Sequence, residues 1–138
     1  MHIVVIDDEA CIRDTFKWHL EESGHKVITL DSPIGCDVFN GHDCTKDTPC
    51  GDVLFIDYLL IGCNALDFVE KMTKKGCKGI LRNKFLMSGN IDMVDRERAN
   101  RLGCNLIQKP INFDELDNLL ARCLKNKLER LVKTSLGC

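Results

Sequence analysis

The stretch His2-Ile3-Val4-Val5-Ile6-Asp7-Asp8-Glu9 sets a short apolar, β-branched run directly against three carboxylates. β-Branched side chains suit an extended, covered backbone, so His2–Ile6 reads as a first strand with an acidic cluster at its carboxyl end. Outward from it, short apolar runs alternate with segments of helical period, the pattern of an α/β protein with a parallel sheet. Lys26–Leu30 reads as a second strand, and residues 53–56 as a third, apolar throughout as a strand covered on both faces should be. Residues 85–87, with those just before them, form a fourth, and residues 105–108 a partly polar fifth.

The helices read between these strands. Ile12, Phe16 and Leu20 recur every four residues and Gly24 ends their helix; Leu66, Val69 and Met72 mark a second, ending near Gly76. Residues 93–102 are a weaker helical segment closed by Gly103. Asn112, with Glu115 three residues on, resembles a capping box that opens a helix carrying Leu116, Leu120, Leu124, Leu128 and Leu131. Residues 32–52 break the rhythm with Pro33, Pro49, three glycines and three cysteines, and read as a short or broken helix followed by a long irregular loop.

Bulk properties narrow the classes. A chain of 138 residues fits one domain, residues 1–138, with no linker or internal repeat. A net charge of −2 gives no reason to expect nucleic acid or an anionic membrane as partner. No apolar run has the length of a membrane span, and Asp7, Asp8 and Glu9 interrupt any secretory pattern at once, so the expected location is the cytoplasm. Nine cysteines without a repeated short spacing make a poor disulfide framework there, and most are expected to be small buried hydrophobes. Cys36, His42, Cys44 and Cys50 lie close enough in sequence to ligate zinc, and Cys44 with Cys50 could pair, but a loop of reduced thiols is the favoured reading. His2, His19 and His25 show no partner pattern, Trp18 reads as core or interface, and Lys125, Lys127, Arg130 and Lys133 as the solvated face of the last helix.

Position carries the functional argument. Asp7 and Asp8 follow strand one, Asp57 follows strand three, Ser88 strand four and Lys109 strand five. Ligands of open parallel sheets bind at the carboxyl ends of the strands, where strand order reverses. If the order is 2-1-3-4-5, strands one and three are neighbours, and the three aspartates share one cleft. Clustered carboxylates repel one another and need a cation at neutral pH. Oxygen-only ligands favour a hard ion, and few protein ligands with several waters favour Mg2+ over Ca2+. With a lysine on the rim and a serine hydroxyl, these are parts for phosphoryl transfer to a carboxylate.

The run Ile6-Asp7-Asp8-Glu9, then Asp57 ending an apolar strand, then Ser88-Gly89, then Lys109-Pro110, resembles the receiver domain of two-component response regulators. Residues 57–67 are similar to the segment that follows the family's phosphoacceptor, and the resemblance covers essentially the whole chain. It implies a flavodoxin-like three-layer sandwich with a five-stranded parallel sheet in the order 2-1-3-4-5. It also implies roles: Asp57 accepts a phosphoryl group from a phosphohistidine of a sensor histidine kinase or phosphotransfer protein, or from a small donor such as acetyl phosphate. Asp8 would bind Mg2+ directly, with Mn2+ able to substitute, while Asp7 acts mainly through water and Leu59 contributes its backbone carbonyl. Ser88 would hydrogen-bond one phosphoryl oxygen, Lys109 would pair with another, Pro110 would follow a cis peptide bond, and Gly89 would leave room for the group. The implied protein is a switch with self-catalysed phosphorylation and dephosphorylation only. It would act through a downstream protein partner, or as a homodimer through its fourth helix, fifth strand and fifth helix.

Three positions depart from the family. Leu106 stands where a tyrosine or phenylalanine commonly rotates inward, Ile61 replaces a frequent proline, and Ala65 a usual glycine. None removes a catalytic group. Two other classes compete: a degenerate receiver acting as a non-phosphorylated binding module, kept open by Leu106, and a Mg2+-dependent aspartyl-nucleophile phosphatase of the haloacid-dehalogenase type. The latter needs its nucleophile right after strand one and a second aspartate two residues later, where this chain has Asp7, Asp8 and then Glu9. A flavodoxin-like electron carrier is poorer still, because the first loop is acidic where a phosphate cradle is needed.

Overall fold

Side chains alternate between two cores along each strand, and that alternation builds the layers. The computed structural model describes residues 1–34, 36, 41, 50–75, 77 and 83–135. Strands β1 (His2–Ile6), β2 (Lys26–Leu30), β3 (Val53–Asp57), β6 (Lys84–Ser88) and β7 (Cys104–Gln108) form one sheet in the order β2-β1-β3-β6-β7. All four pairings are parallel. Two short strands, β4 (Leu59–Leu60) and β5 (Cys63–Asn64), make a separate antiparallel ribbon. Leaving that ribbon aside, the order is the expected 2-1-3-4-5.

Helices α1 (Ala10–Glu22) and α4 (Phe113–Ser135) cover one face, where Phe16, Leu20, Leu116 and Leu120 pack on Ile3, Val5, Val53, Phe55, Phe85 and Met87. Helices α2 (Ala65–Lys74) and α3 (Arg96–Arg101) cover the other, where Leu66, Phe68, Val69, Met72 and Ala99 pack on Val4, Ile6, Leu54, Ile56 and Leu86. Odd and even residues of one strand therefore enter different cores, which is why β3 is apolar on both faces. Truncating a fully buried side chain such as Leu86 costs about 2–5 kcal/mol.

The amino end of the sheet is tied by backbone proximity. A Cβ on Gly51 would lie 3.1 Å from Val4 Cγ2 and 3.2 Å from the His2 carbonyl oxygen, so the chain entering β3 passes close enough to β1 that a side chain there would press its neighbours back by a few tenths of an ångström. Asp52 N–H donates to the His2 carbonyl at 2.7 Å, and the His2 N–H returns a bond to Asp52 Oδ2 at 2.9 Å.

Several expectations change. The segment expected as a helix over residues 93–102 is a 3-10 turn (Ile91–Met93) followed by the six-residue α3, because the Asp95 side chain accepts from Arg98 N–H and starts the helix there. Trp18 is exposed on α1, outside both cores, so of the core and interface readings only the core one is overturned. Leu116 and Leu120 are buried, but Leu124, Leu128 and Leu131, further along α4, are exposed. The Asn112 half of the capping box is made, its side chain accepting from Asp114 N–H at 2.8 Å. Of the described cysteines only Cys104 and Cys123 are buried; Cys36, Cys63 and Cys77 are half-buried against the α2–α3 core, and Cys11 and Cys50 are exposed. Helix α2 ends at Lys74 with Lys75 as its C-cap, close to Gly76 as expected; the reading of residues 32–52 as a broken helix and loop, and any site using His42 or Cys44, fall largely outside the described residues. Among the described residues, no helix is long and apolar enough to cross a membrane.

Candidate functional site

Parallel register brings the acidic residues together. Asp57 is the last residue of β3, and β1 lies beside it, ending at Ile6 opposite Ile56. Asp7 and Asp8 therefore leave β1 where Asp57 leaves β3. Each of the three offers a carboxylate oxygen within 4.8 Å of the others. Among the described residues this is the one group of three or more histidine, cysteine or acidic side chains spaced to hold a metal.

Lys109, just past β7, reaches across the intervening strand ends into that group. Its Nζ lies 2.8 Å from Asp7 Oδ2, 3.4 Å from Asp57 Oδ1 and 4.0 Å from Glu9 Oε1. The lysine is mostly buried, with 15% of its side chain exposed, and burial alone would lower its pKa. Hydrogen bonds and charge from Asp7 and Asp57 outweigh that, so its pKa is raised and it stays an ammonium.

The three aspartates differ in environment. Asp7 is fully buried, with Oδ1 accepting from the Glu9 N–H at 2.9 Å and Oδ2 from Lys109. Asp8 is exposed and Asp57 half-buried. Burial raises the Asp57 pKa; Lys109 pulls it down, and the charges of Asp7 and Asp8 push it up again, leaving it above the ordinary aspartate range. One ammonium thus does not balance three clustered carboxylates. The donor set is all oxygen, which suits a hard divalent cation, and with both Asp7 oxygens engaged, Asp8 and Asp57 present the more open ones.

The remaining predicted residues sit at the same end of the sheet. Ser88 ends β6, one residue past Met87, the register partner of Asp57. Its Oγ accepts from the Asn90 N–H at 3.0 Å. Gly89 is exposed, and a Cβ there would meet nothing within 4 Å. The Lys109–Pro110 peptide is cis. Leu59 lies in the β4–β5 ribbon, whose turn at Ile61-Gly62 uses a positive φ of 73° at Gly62. Leu106 is half-buried and packs against the α2–α3 core.

Sequence reading missed three contributors. Arg13 on α1 donates from Nη1 to the Asp7 backbone carbonyl at 2.7 Å, bracing the acidic turn. Its only sequence signal is a basic residue four positions after Glu9, at helical spacing. Gln108 joins the loop after β6 to the end of β7, and no pattern flags it. His19, read as partnerless, binds Asp117 at 2.7 Å and stacks on Phe113 with ring centroids 4.1 Å apart, joining α1 to α4.

No protein-family model and no curated protein matches the chain. Solved structures do. A response-regulator receiver domain protein from Clostridium thermocellum superposes with a TM-score of 0.70 and 22% identity, covering 91% of this chain and 95% of that one. A CheY-like receiver domain from Methylobacillus flagellatus gives 0.67 and 22%, covering 89% and 98%. NtrX from Brucella abortus gives 0.68 and 28%, covering 96% of this chain but 29% of that protein. The chain has the fold of response-regulator receiver domains.

Proposed function

We propose that this chain is a receiver switch of the cytoplasm that accepts a phosphoryl group on Asp57. The observation that supports it is one juxtaposition: three carboxylates within 4.8 Å, with the Lys109 ammonium 2.8 Å from Asp7 and 3.4 Å from Asp57. In the proposed reaction an Asp57 carboxylate oxygen attacks phosphorus. The bond from phosphorus to the imidazole nitrogen of a phosphohistidine, or to the acetate oxygen of acetyl phosphate, breaks, and the leaving group departs with the electron pair. Lys109 holds positive charge beside the attacking oxygen, and the Ser88 hydroxyl is available to donate to a phosphoryl oxygen. Asp8 and Asp57, with the Leu59 carbonyl, are the proposed Mg2+ ligands, and Asp7 is proposed to act through water because both its oxygens are engaged. Bound there, Mg2+ or Mn2+ would neutralise the carboxylates and the incoming phosphoryl oxygens.

The proposed donors are a sensor histidine kinase or phosphotransfer protein. A downstream partner or a second copy would meet the face made by α3, β7 and α4, which take the places of the fourth helix, fifth strand and fifth helix. The test is incubation with Mg2+ and acetyl phosphate, followed by intact mass, beside Asp57→Asn. One added phosphoryl group that needs Mg2+ and is absent from the variant is the expected result. No addition with acetyl phosphate, phosphoramidate or a histidine-kinase donor would leave a receiver fold used as a binding module.

A further inference from the structure

We propose that Gln108 is a positioning residue that sets the Ser88 hydroxyl for phosphoryl acceptance; this rests on the phosphoacceptor reading of Asp57. β6 and β7 end side by side, with Ser88 paired to Gln108 and the Lys109 N–H donating to the Ser88 carbonyl at 2.8 Å. From there the Gln108 side chain turns onto the loop that follows β6. Its Nε2 donates to the Gly89 carbonyl at 2.6 Å and to the Lys109 carbonyl at 2.9 Å, and its Oε1 accepts from the Ile91 N–H at 3.1 Å. One amide therefore grips the loop on both sides of Asn90 and ties it to the peptide of Lys109.

Asn90 is the residue that matters, because its N–H donates to Ser88 Oγ at 3.0 Å. A hydroxyl whose oxygen accepts that bond keeps its own hydrogen free to donate outward. The other bonds of this loop lie on its far side, where Asn90 Oδ1 accepts from the Asp92 N–H at 3.2 Å and the Asn90 carbonyl from the Met93 N–H at 3.1 Å. Gly89, Asn90 and Gln108 are all exposed, and a Cβ on Gly89 would touch nothing within 4 Å, so hydrogen bonds and not packing hold it. Along β7 the other candidates face elsewhere: Leu106 lies against the α2–α3 core and Ile107 in the opposite one. Glutamine supplies what the position uses, one acceptor and one donor group at that reach. Methionine matches its length with neither, and glutamate keeps only the acceptor.

The experiment compares wild type, Gln108→Met, Gln108→Glu, Ser88→Ala and the Ser88→Ala/Gln108→Met double variant. Phosphorylation by acetyl phosphate with Mg2+ is followed by intact mass. Mg2+ affinity is read by calorimetry, and amide hydrogen exchange at Asn90 and Ile91 by NMR. Gln108→Met is expected to slow phosphorylation about fivefold, the scale of losing a net hydrogen bond or so, with Mg2+ affinity unchanged and faster exchange at both amides. Gln108→Glu should fall between it and wild type. The decisive arm is the cycle: if Gln108 acts through Ser88, the methionine substitution has no further effect in the Ser88→Ala background. Unchanged rates in Gln108→Met, or the same slowing with and without Ser88, would overturn the assignment. A wild type that takes no phosphoryl group on Asp57 would sink the phosphoacceptor reading and this inference with it. The exchange data separate the two failures, since they report the loop whether or not chemistry occurs.

Discussion

Strand β3 carries an aspartate–lysine pair at each end, and the two behave oppositely. At its carboxyl end Asp57 sits 3.4 Å from Lys109, and its pKa is raised by burial and by the nearby Asp7 and Asp8 charges, against the pull of Lys109. At its amino end Asp52 sits 3.0 Å from Lys127. Burial would raise that pKa too, but the His2 N–H and Lys127 together outweigh it and hold it below the ordinary aspartate value. The residue types are the same. The difference is the company: Asp52 has donors around it, whereas Asp57 shares one ammonium with another carboxylate and lies beside a third. The first arrangement is a staple between β1, β3 and α4; the second is short of positive charge, which is what a cation-binding phosphoacceptor site needs.

The largest test of this contrast removes the lysines. Lys109→Met should cost about 3 kcal/mol, because it strands clustered, partly buried carboxylates. Lys127→Met should cost about 1 kcal/mol or less, since that pair is closer to solvent. Urea denaturation without divalent metal measures both, and equal losses would dissolve the comparison. Next, in metal-free buffer at neutral pH, Asp57→Asn should raise the melting temperature while Asp52→Asn lowers it. Each shift should be on the order of 1 kcal/mol, about 4 °C for a domain of this size.

The pH dependence follows from the same signs. The folded Asp57 pKa is raised, so its ionisation costs stability as pH rises above the ordinary aspartate value. The advantage of Asp57→Asn should therefore fade as pH falls to that value and below. The folded Asp52 pKa is depressed, so its stabilisation is present above the ordinary value and lost as pH falls through the folded one. Melting curves of the two variants against wild type across the acid range should diverge in these opposite ways. The smallest effect expected is that of salt. Raising ionic strength should shrink the Lys127→Met penalty by a few tenths of a kcal/mol and leave the Lys109→Met penalty nearly untouched, because buried charges are screened less.

Much of this was legible beforehand, and the reasons are local. Strand β3 reads correctly because full burial leaves an uninterrupted apolar run, and Gly24 and Gly103 end their helices with positive φ as expected. The late start of α3 was less legible, since it depends on which of several polar residues caps, and Asp95 wins through its bond to Arg98 N–H. The β4–β5 ribbon has strands too short for any period to show. Leucine spacing along α4 fits core or interface equally, and only the structure separates buried Leu116 and Leu120 from exposed Leu124, Leu128 and Leu131.

The sequence by itself determined the α/β order of elements and put Asp7, Asp8, Asp57, Ser88 and Lys109 at strand ends, because both follow from patterns within a few residues. Tertiary structure alone decided which of those ends meet. The parallel pairing of β1 with β3 makes three distant aspartates one cluster, and the reach of Lys109 leaves that cluster short of charge. It also decided the bonds of Arg13, His19 and Gln108, whose partners lie on other elements or across a turn. Hydrophobic period is a property of the chain, but electrostatics falls off with distance in space, and only folding sets that distance.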